Sequence, residues 1–205
     1  MSLKINNLRK SFGENLVIKN FSYEFETKVR YGIVGKNGTG KTTVLKIIAD
    51  LISLDYGEIF YKDKLNEHKK IKVSYVANNP RSFFMRLSCI ENLYYFSALS
   101  KKSRKETLIF IEEHFSFFNI SDFLFKPVNK ISLGQSQIVN LMRGLLLSPE
   151  ILLLDEIGSN LDEQNIKKID LTLNSYSRSN ESLIQISCAP QRDLILKSFS
   201  EIIEL

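Results

Sequence analysis

Apolar positions along this chain recur with two different spacings. In "FSYEFE" at Phe21–Glu26, Phe21, Tyr23 and Phe25 alternate with polar residues, which predicts a half-buried strand. Val29 to Val34 is a short strand-like run, and the residues after it change period. From Thr43 to Ile52, Val44, Ile47, Ile48 and Leu51 fall at helical spacing. A second amphipathic helix is predicted after Ser132, with Ile138, Leu141, Met142, Leu145 and Leu146 apolar and Ser132 suited to cap its start. Ile151 to Leu154 is apolar without interruption, as for a strand at the centre of a parallel sheet. "LIQISCAPQRD" from Leu183 is another apolar run, and it ends at Ser187-Cys188.

The junction between the first strand–helix pair carries chemistry. Gly35-Lys36-Asn37-Gly38-Thr39-Gly40-Lys41-Thr42 fits G-x-x-x-x-G-K-[ST], and Thr43 continues into the helix. Gly35, Gly38 and Gly40 let the backbone turn so that its N–H groups face phosphate oxygens. The helix dipole favours the same anion. Lys41 adds a full charge near the β- and γ-phosphates, and the Thr42 hydroxyl is placed for Mg²⁺. A chance glycine-rich turn is the bland alternative, and the strand and helix on either side weigh against it.

The apolar strand at 151–154 ends in Asp155-Glu156. Ligands of α/β sheets collect at the carboxyl ends of strands. Asp155 is therefore expected to face the Mg²⁺ held by Thr42, and Glu156 to orient or deprotonate an attacking water. Two surface acids at a strand end would read the same if the phosphate loop were absent.

Composition narrows the class. With 205 residues, 43% hydrophobic and 25% charged, the chain suits one domain, or one domain with an inserted lobe, and can bury a core. No apolar run reaches the ~18 residues of a membrane span. The first residues lack the apolar core of a signal peptide, so none is expected. Two cysteines, Cys89 and Cys188, without paired spacing point to a reduced, cytoplasmic protein, although the two could meet in space. The net charge is +5, and only "KDKLNEHKK" and "SKKSRK" cluster it. These are read as solvated loops, with nucleic-acid or membrane-surface contact as the alternative; no nucleic acid is expected as a partner.

Taken together, these residues resemble the nucleotide-binding domain of ABC transporters, along nearly the whole chain and in the family's motif order. Gly35–Thr43 resembles Walker A, and "ISLGQSQ" at Ile131–Gln137 resembles the signature motif. "ILLLDE" at Ile151–Glu156 resembles Walker B with its catalytic glutamate, and "SNLD" at Ser159–Asp162 the D-loop. "LRKSFG" at Leu8–Gly13 resembles the segment that sets an aromatic against adenine; that ring would be Phe12, with an ordinary core or turn role as the alternative. "PRSFFMRLSCIENLYYFSALS" at 80–100 is similar to the helical subdomain of exporters, where it touches the membrane partner. Of its aromatics Phe83, Phe84, Tyr94, Tyr95 and Phe96, most are expected in the core and one or two at the partner face.

The resemblance implies an α/β fold: a RecA-like P-loop NTPase core, about 1–78 and 133–205, with an N-terminal antiparallel β subdomain and an inserted helical subdomain, about 79–132. No accessory C-terminal domain is expected after "EIIEL". It implies ATP and Mg²⁺ as ligands, a membrane-spanning transporter subunit as partner, and a place on the inner face of the membrane. It also implies a head-to-tail homodimer or heterodimer in which Ser132, Gly134 and Gln135 serve the partner's ATP. Ser132 as a cap and nothing more is the alternative.

Three positions depart from the family pattern. Asn78 stands at the Q-loop glutamine, where it could still reach Mg²⁺ or the water. Leu133 replaces the first glycine of the signature. Cys188 occupies the position of the H-loop histidine, whose imidazole contacts γ-phosphate. A thiol is a weak donor. Beside triphosphate it should stay protonated, or serve as a small buried core residue. Neither His68 nor His114 is placed by sequence to substitute. Binding is expected to survive and hydrolysis at this chain's own site to be slow. The leading expectation is an ATPase subunit that powers export, with Lys41, Glu156 and Cys188 at the reacting centre. The alternatives are a soluble ABC-type ATPase, or a switch that binds ATP and scarcely hydrolyses it.

Overall fold

The computed structural model describes residues 1–62, 71–77, 83–159, 161–189 and 199–205. Its N-terminal part is an antiparallel sheet of β1 (Ser2–Phe12), β2 (Asn15–Glu26) and β4 (Tyr56–Lys62), in the order β2-β1-β4. The alternation of Phe21, Tyr23 and Phe25 is realised in β2, with Phe21 and Phe25 buried. In β1 the buried positions are Leu3, Ile5 and Leu8, so the period of two slips once. Asn7 accounts for the slip: its φ is 50° and the register with both neighbours shifts around it. Opposite this bulge, Gly57 has φ 102°, and a Cβ there would lie 2.6 Å from Asn6 O, so only glycine fits.

The second sheet is parallel throughout, in the order β5-β6-β7-β3-β8. It comprises β3 (Arg30–Val34), β5 (Val73–Val76), β6 (Ile151–Asp155), β7 (Ile184–Ala189) and β8 (Glu201–Glu204). The apolar run of β6 is explained by burial on both faces. Ile151 and Leu153 join one core cluster, with Ile33, Val44, Ile184 and Ile186. Leu152 and Leu154 join the other, with the helices.

Five α-helices lie among the described residues: α1 (Lys41–Ile48), α2 (Cys89–Leu99), α3 (Arg104–Phe115), α4 (Leu133–Leu146) and α5 (Glu163–Ser179). The region 79–132 supplies α2, α3 and three single turns of 3-10 helix before α4 begins. Ser88, Ser103 and Ser132 each open a helix with a reciprocal capping box, to Glu91, Glu106 and Gln135. Asp162 caps α5 through the N–H of Asn165. The expected helix to Ile52 is shorter than its apolar pattern. Asp50 takes the left-handed conformation at φ 56°, and the Leu51 N–H turns back to Lys46 O at 2.9 Å. That closure ends α1 at Ile48 and leaves Leu51 59% exposed.

One cluster runs from α2 and α3 through α4 to β6, so the helical region and the sheet share a core. Of the aromatics expected there, Phe83 is buried, whereas Phe84 and Tyr95 are exposed and stack edge to face at 4.9 Å. The two cysteines do not meet: both are free, Cys89 in the helical cluster and Cys188 in the other. No helix among the described residues is long and apolar enough to cross a membrane.

Contact between α4 and β5 depends on Gly144, where a Cβ would lie 2.4 Å from Val76 Cγ2 and 3.2 Å from Ser74 Oγ. Gly144→Val is expected to destabilise the fold by about 1–3 kcal/mol through overpacking. Urea denaturation measures this; an unchanged midpoint would refute the close approach.

Candidate nucleotide site

The parallel order places the ends of β3 and β6 on either side of β7, and the site is built at those ends. Gly35–Gly40 links β3 to α1. Gly38 and Gly40 have φ of 86° and 99°, the left-handed region that favours glycine. Gly35 has a different reason from the turning expected of it. A Cβ there would lie 2.5 Å from Leu205 O and 2.8 Å from Thr39 Oγ1, so close packing requires it. Thr39 closes the loop on itself by donating its hydroxyl to Lys36 O at 3.1 Å. Lys36, Asn37 and Gly38 form the exposed rim.

Lys41 is buried, and its Nζ donates to Gly35 O at 2.9 Å and Lys36 O at 3.0 Å. An ammonium has three donors, so the loop uses two and one is left for an anion. Gly40 is the N-cap of α1 and provides no side-chain cap, and no acid sits in the first turn. The first N–H groups of α1 are thus oriented for an acceptor from outside.

Thr42 Oγ1 donates to Asp155 Oδ1 at 2.8 Å, joining the phosphate loop to β6. Asp155 is 6% exposed. Its other oxygen accepts from Tyr75 OH on β5 at 2.6 Å. Burial, and then the hydrogen bond to Asp155, raise the Tyr75 pKa, so the phenol stays a donor. Tyr75 was not anticipated. Its signal in "VSYVANN" is a polar-tipped aromatic near the end of a short strand, which acquires meaning only once β5 lies beside β6. The hydroxyl–carboxylate pair suits Mg²⁺, which takes hard oxygen donors and is usually held by one or two carboxylates plus phosphate oxygens. Among the described residues no group of three or more His, Cys, Asp or Glu could hold a metal by itself.

Glu156 follows in a left-handed conformation, φ 52°, uncommon for a residue with a side chain. Its N–H donates to Cys188 O at 3.1 Å. Glu156 lines the cleft shared with Phe12, Val17, Asn37, Gly38, Gly40, Lys41, Thr42 and Thr43. Cys188 pairs with Ile33 on one side and Asp155 on the other and is 2% exposed. Burial first, then the Asp155 charge, push its thiol well above the usual range, so it is neutral. His114 is remote from this centre. It sits in α3 against Phe110 and Tyr176, with ring centroids at 4.6 and 5.6 Å. Asn78 and His68 lie outside the described residues.

Ser132, Gly134 and Gln135 are not brought to this cleft. They line a second one with Leu161, Asp162 and Asn165, which shares no lining residue with the first. The Ser132 hydroxyl accepts from Gln135 N–H at 3.1 Å, and the Gln135 side chain accepts from Ser132 N–H at 3.0 Å.

The ABC transporter family model matches residues 18–159, which include the phosphate loop, the α4 segment and Asp155-Glu156. The chain belongs to the ABC transporter family. Its relatives include the tungstate uptake system ATP-binding protein TupC of Peptoclostridium acidaminophilum, 30% identical over 91% of this chain and 86% of that protein. An uncharacterized ABC transporter ATP-binding protein, YhaQ of Bacillus subtilis, is 28% identical over 89% of this chain but 61% of its own length. The lantibiotic transport ATP-binding protein SrtF of Streptococcus pyogenes is 28% identical over 90% of this chain and 79% of that one. The chain thus spans less than two thirds of some ABC relatives, for example 44% of an Fe(3+) ions import ATP-binding protein of Fusobacterium nucleatum. Among solved structures, the ATP-binding subunit of an ABC transporter superposes with a TM-score of 0.85 at 19% identity, covering 100% of this chain and 86% of that one. A dimeric post-hydrolysis ATP-binding cassette bound to ADP and Pi gives 0.81 at 21% identity, covering 99% and 94%. At these identities the ABC-cassette structures bear on fold alone.

Lys41→Ala is expected to weaken MgATP binding by roughly 10- to 100-fold, the range for a charge-assisted hydrogen bond. Calorimetry decides it; equal affinity in both proteins would remove Lys41 from the site.

Proposed function

We propose that this chain binds and hydrolyses ATP to power a membrane transporter, working as one half of a head-to-tail pair of cassettes. The observation that carries this is the convergence of Lys41, Thr42, Asp155 and Glu156 beyond the ends of β3 and β6, the two strands that flank β7. In this reading Gly35–Thr43 holds the triphosphate, with Lys41 donating to it, and Phe12 lies against adenine. Mg²⁺ would be held by the Thr42 hydroxyl and the Asp155 carboxylate, with Asn78 assigned by the family pattern; when bound it neutralises charge on the phosphate oxygens. Tyr75 keeps the Asp155 carboxylate oriented. Glu156 orients the attacking water and accepts its proton.

Ser132, Gly134 and Gln135 are assigned to the nucleotide of a partner cassette, homodimer or heterodimer. Their place in a separate cleft supports this, since a single chain does not bring the two halves together. We take 79–132 as the helical subdomain and the rest as the catalytic core. We assign the exposed Phe84–Tyr95 pair to contact with the membrane-spanning subunit, and in this reading the chain works at the inner face of the membrane. Export is our reading from the pattern at 80–100. The names of the relatives cover both uptake, of tungstate and Fe(3+) ions, and lantibiotic transport.

A second reading, an ATP-dependent switch that hydrolyses little, is favoured by Cys188. A buried neutral thiol is a poor replacement for an imidazole donor. Glu156→Gln keeps shape and removes the base, so it should yield an ATP-held dimer, alone or with a second cassette. Ultracentrifugation showing only monomer under saturating ATP, with a second cassette adding nothing, would refute the paired arrangement. Cys188→His should raise steady-state ATPase, by less than the ~10²–10³ of one preorganised donor, while Cys188→Ser does little. Brisk turnover by the wild type, with no gain in the histidine variant, would show that another group holds that role.

A further inference from the structure

The ladder between β1 and β4 ends at Arg9↔Tyr56, three residues before Phe12. Beyond it β1 keeps only β2 as neighbour, and Phe12 sits at the tip of that two-stranded ribbon, opposite Asn15. Two-stranded ribbons fray at such ends. Here a side chain continues where the ladder stops. Asp55 accepts from Lys10 Nζ at 2.6 Å through Oδ1, and from Ser11 N–H at 2.7 Å through Oδ2. Its own N–H donates to Arg9 O at 3.1 Å. Asp55 therefore grips three consecutive residues immediately before Phe12.

The grip extends to the ring. Lys10 Nζ stands 5.4 Å from the Phe12 centroid, within cation–π range. The Lys10 side chain is 12% exposed, so its ammonium is held in place between Asp55 and the ring. An isolated surface ion pair contributes little. This carboxylate differs in being shared between a lysine and a backbone N–H, and both bonds, Lys10 first, lower the Asp55 pKa. The Phe12 ring is 50% exposed and lines the same cleft as Gly40, Lys41 and Thr43.

We infer that Asp55, acting through Lys10 and the Ser11 backbone, fixes the Phe12 ring as the platform for the nucleobase. Asp55 and Lys10 are positioning residues: they govern how well the base is held and contribute nothing to the triphosphate. This rests on the assignment of Phe12 to adenine above.

The test compares two ligands by calorimetry, MgATP and magnesium tripolyphosphate, which lacks the nucleoside. Phe12→Ala should weaken MgATP by roughly 5- to 100-fold, the range of one base–aromatic stack. Asp55→Ala and Lys10→Met should weaken it by a fraction of that, about 3- to 10-fold. Asp55→Asn, which keeps volume and an acceptor for Ser11, should fall between wild type and Asp55→Ala. Tripolyphosphate affinity should stay within about twofold of wild type in all four. If Phe12→Ala weakens MgATP and Asp55→Ala does not, the tether is wrong while the platform stands. Equal loss of both ligands in Asp55→Ala and Asp55→Asn would show a general structural role and overturn the inference. Unchanged MgATP affinity in Phe12→Ala would remove the platform, and the tether's role with it.

Discussion

The hydrogen bond from Thr42 to Asp155 is the contact on which the site depends, because it joins residues 113 positions apart in the chain. It forms only if β3 and β6 flank β7 in a parallel sheet with their carboxyl ends aligned. The register does this: Ile33 and Asp155 both pair with Cys188. Burial of β6 on both faces holds that register, since a slip of one residue would exchange Leu152 and Leu154 between two differently shaped cores. The packing of the sheet and the chemistry of the site are one constraint.

From that centre the demands on neighbouring residues follow. Gly38 and Gly40 are glycine for their backbone angles, Gly35 for the approach of Leu205. Lys41 is held by two carbonyls of the loop it serves, so its charge is preorganised before any anion arrives. Tyr75 occupies the second oxygen of Asp155, leaving the carboxylate little freedom to rotate. Ser132, by contrast, is satisfied within its own helix, at a cleft that the phosphate loop does not reach. The two sets of expected site residues therefore lie in separate clefts of one chain, which is the arrangement behind the proposed pairing of cassettes.

Cys188, proposed to stand where the family has its H-loop histidine, meets Glu156 through its backbone. Its carbonyl receives the N–H of Glu156, a backbone contact indifferent to whether the side chain is thiol or imidazole. That contact sits at the left-handed turn of Glu156. The side chain itself is a neutral, 2% exposed sulfur in the cluster with Ile33, Val44 and Ile186. In the proposed reading, a thiol here bears on the rate of hydrolysis more than on the shape of the site.

The sequence alone determined what local chemistry can encode. The phosphate loop, the apolar strand ending in two acids, the cap at Ser132 and the alternation in β2 were legible because each is a short pattern with a local physical cause. The tertiary structure alone decided what depends on distant partners. The early end of α1 follows from a left-handed Asp50 that an apolar pattern does not register. Tyr75 reaches Asp155 because β5 packs beside β6, and Asp55 reaches Lys10 and Ser11, the basis of its proposed tether to Phe12, because β4 enters where β1 loses its ladder. Gly35 acquired its reason from the last residue of the chain, 170 positions away. Spacing along a chain carries no information about such neighbours; only the closed sheets bring these atoms within hydrogen-bond or van der Waals reach.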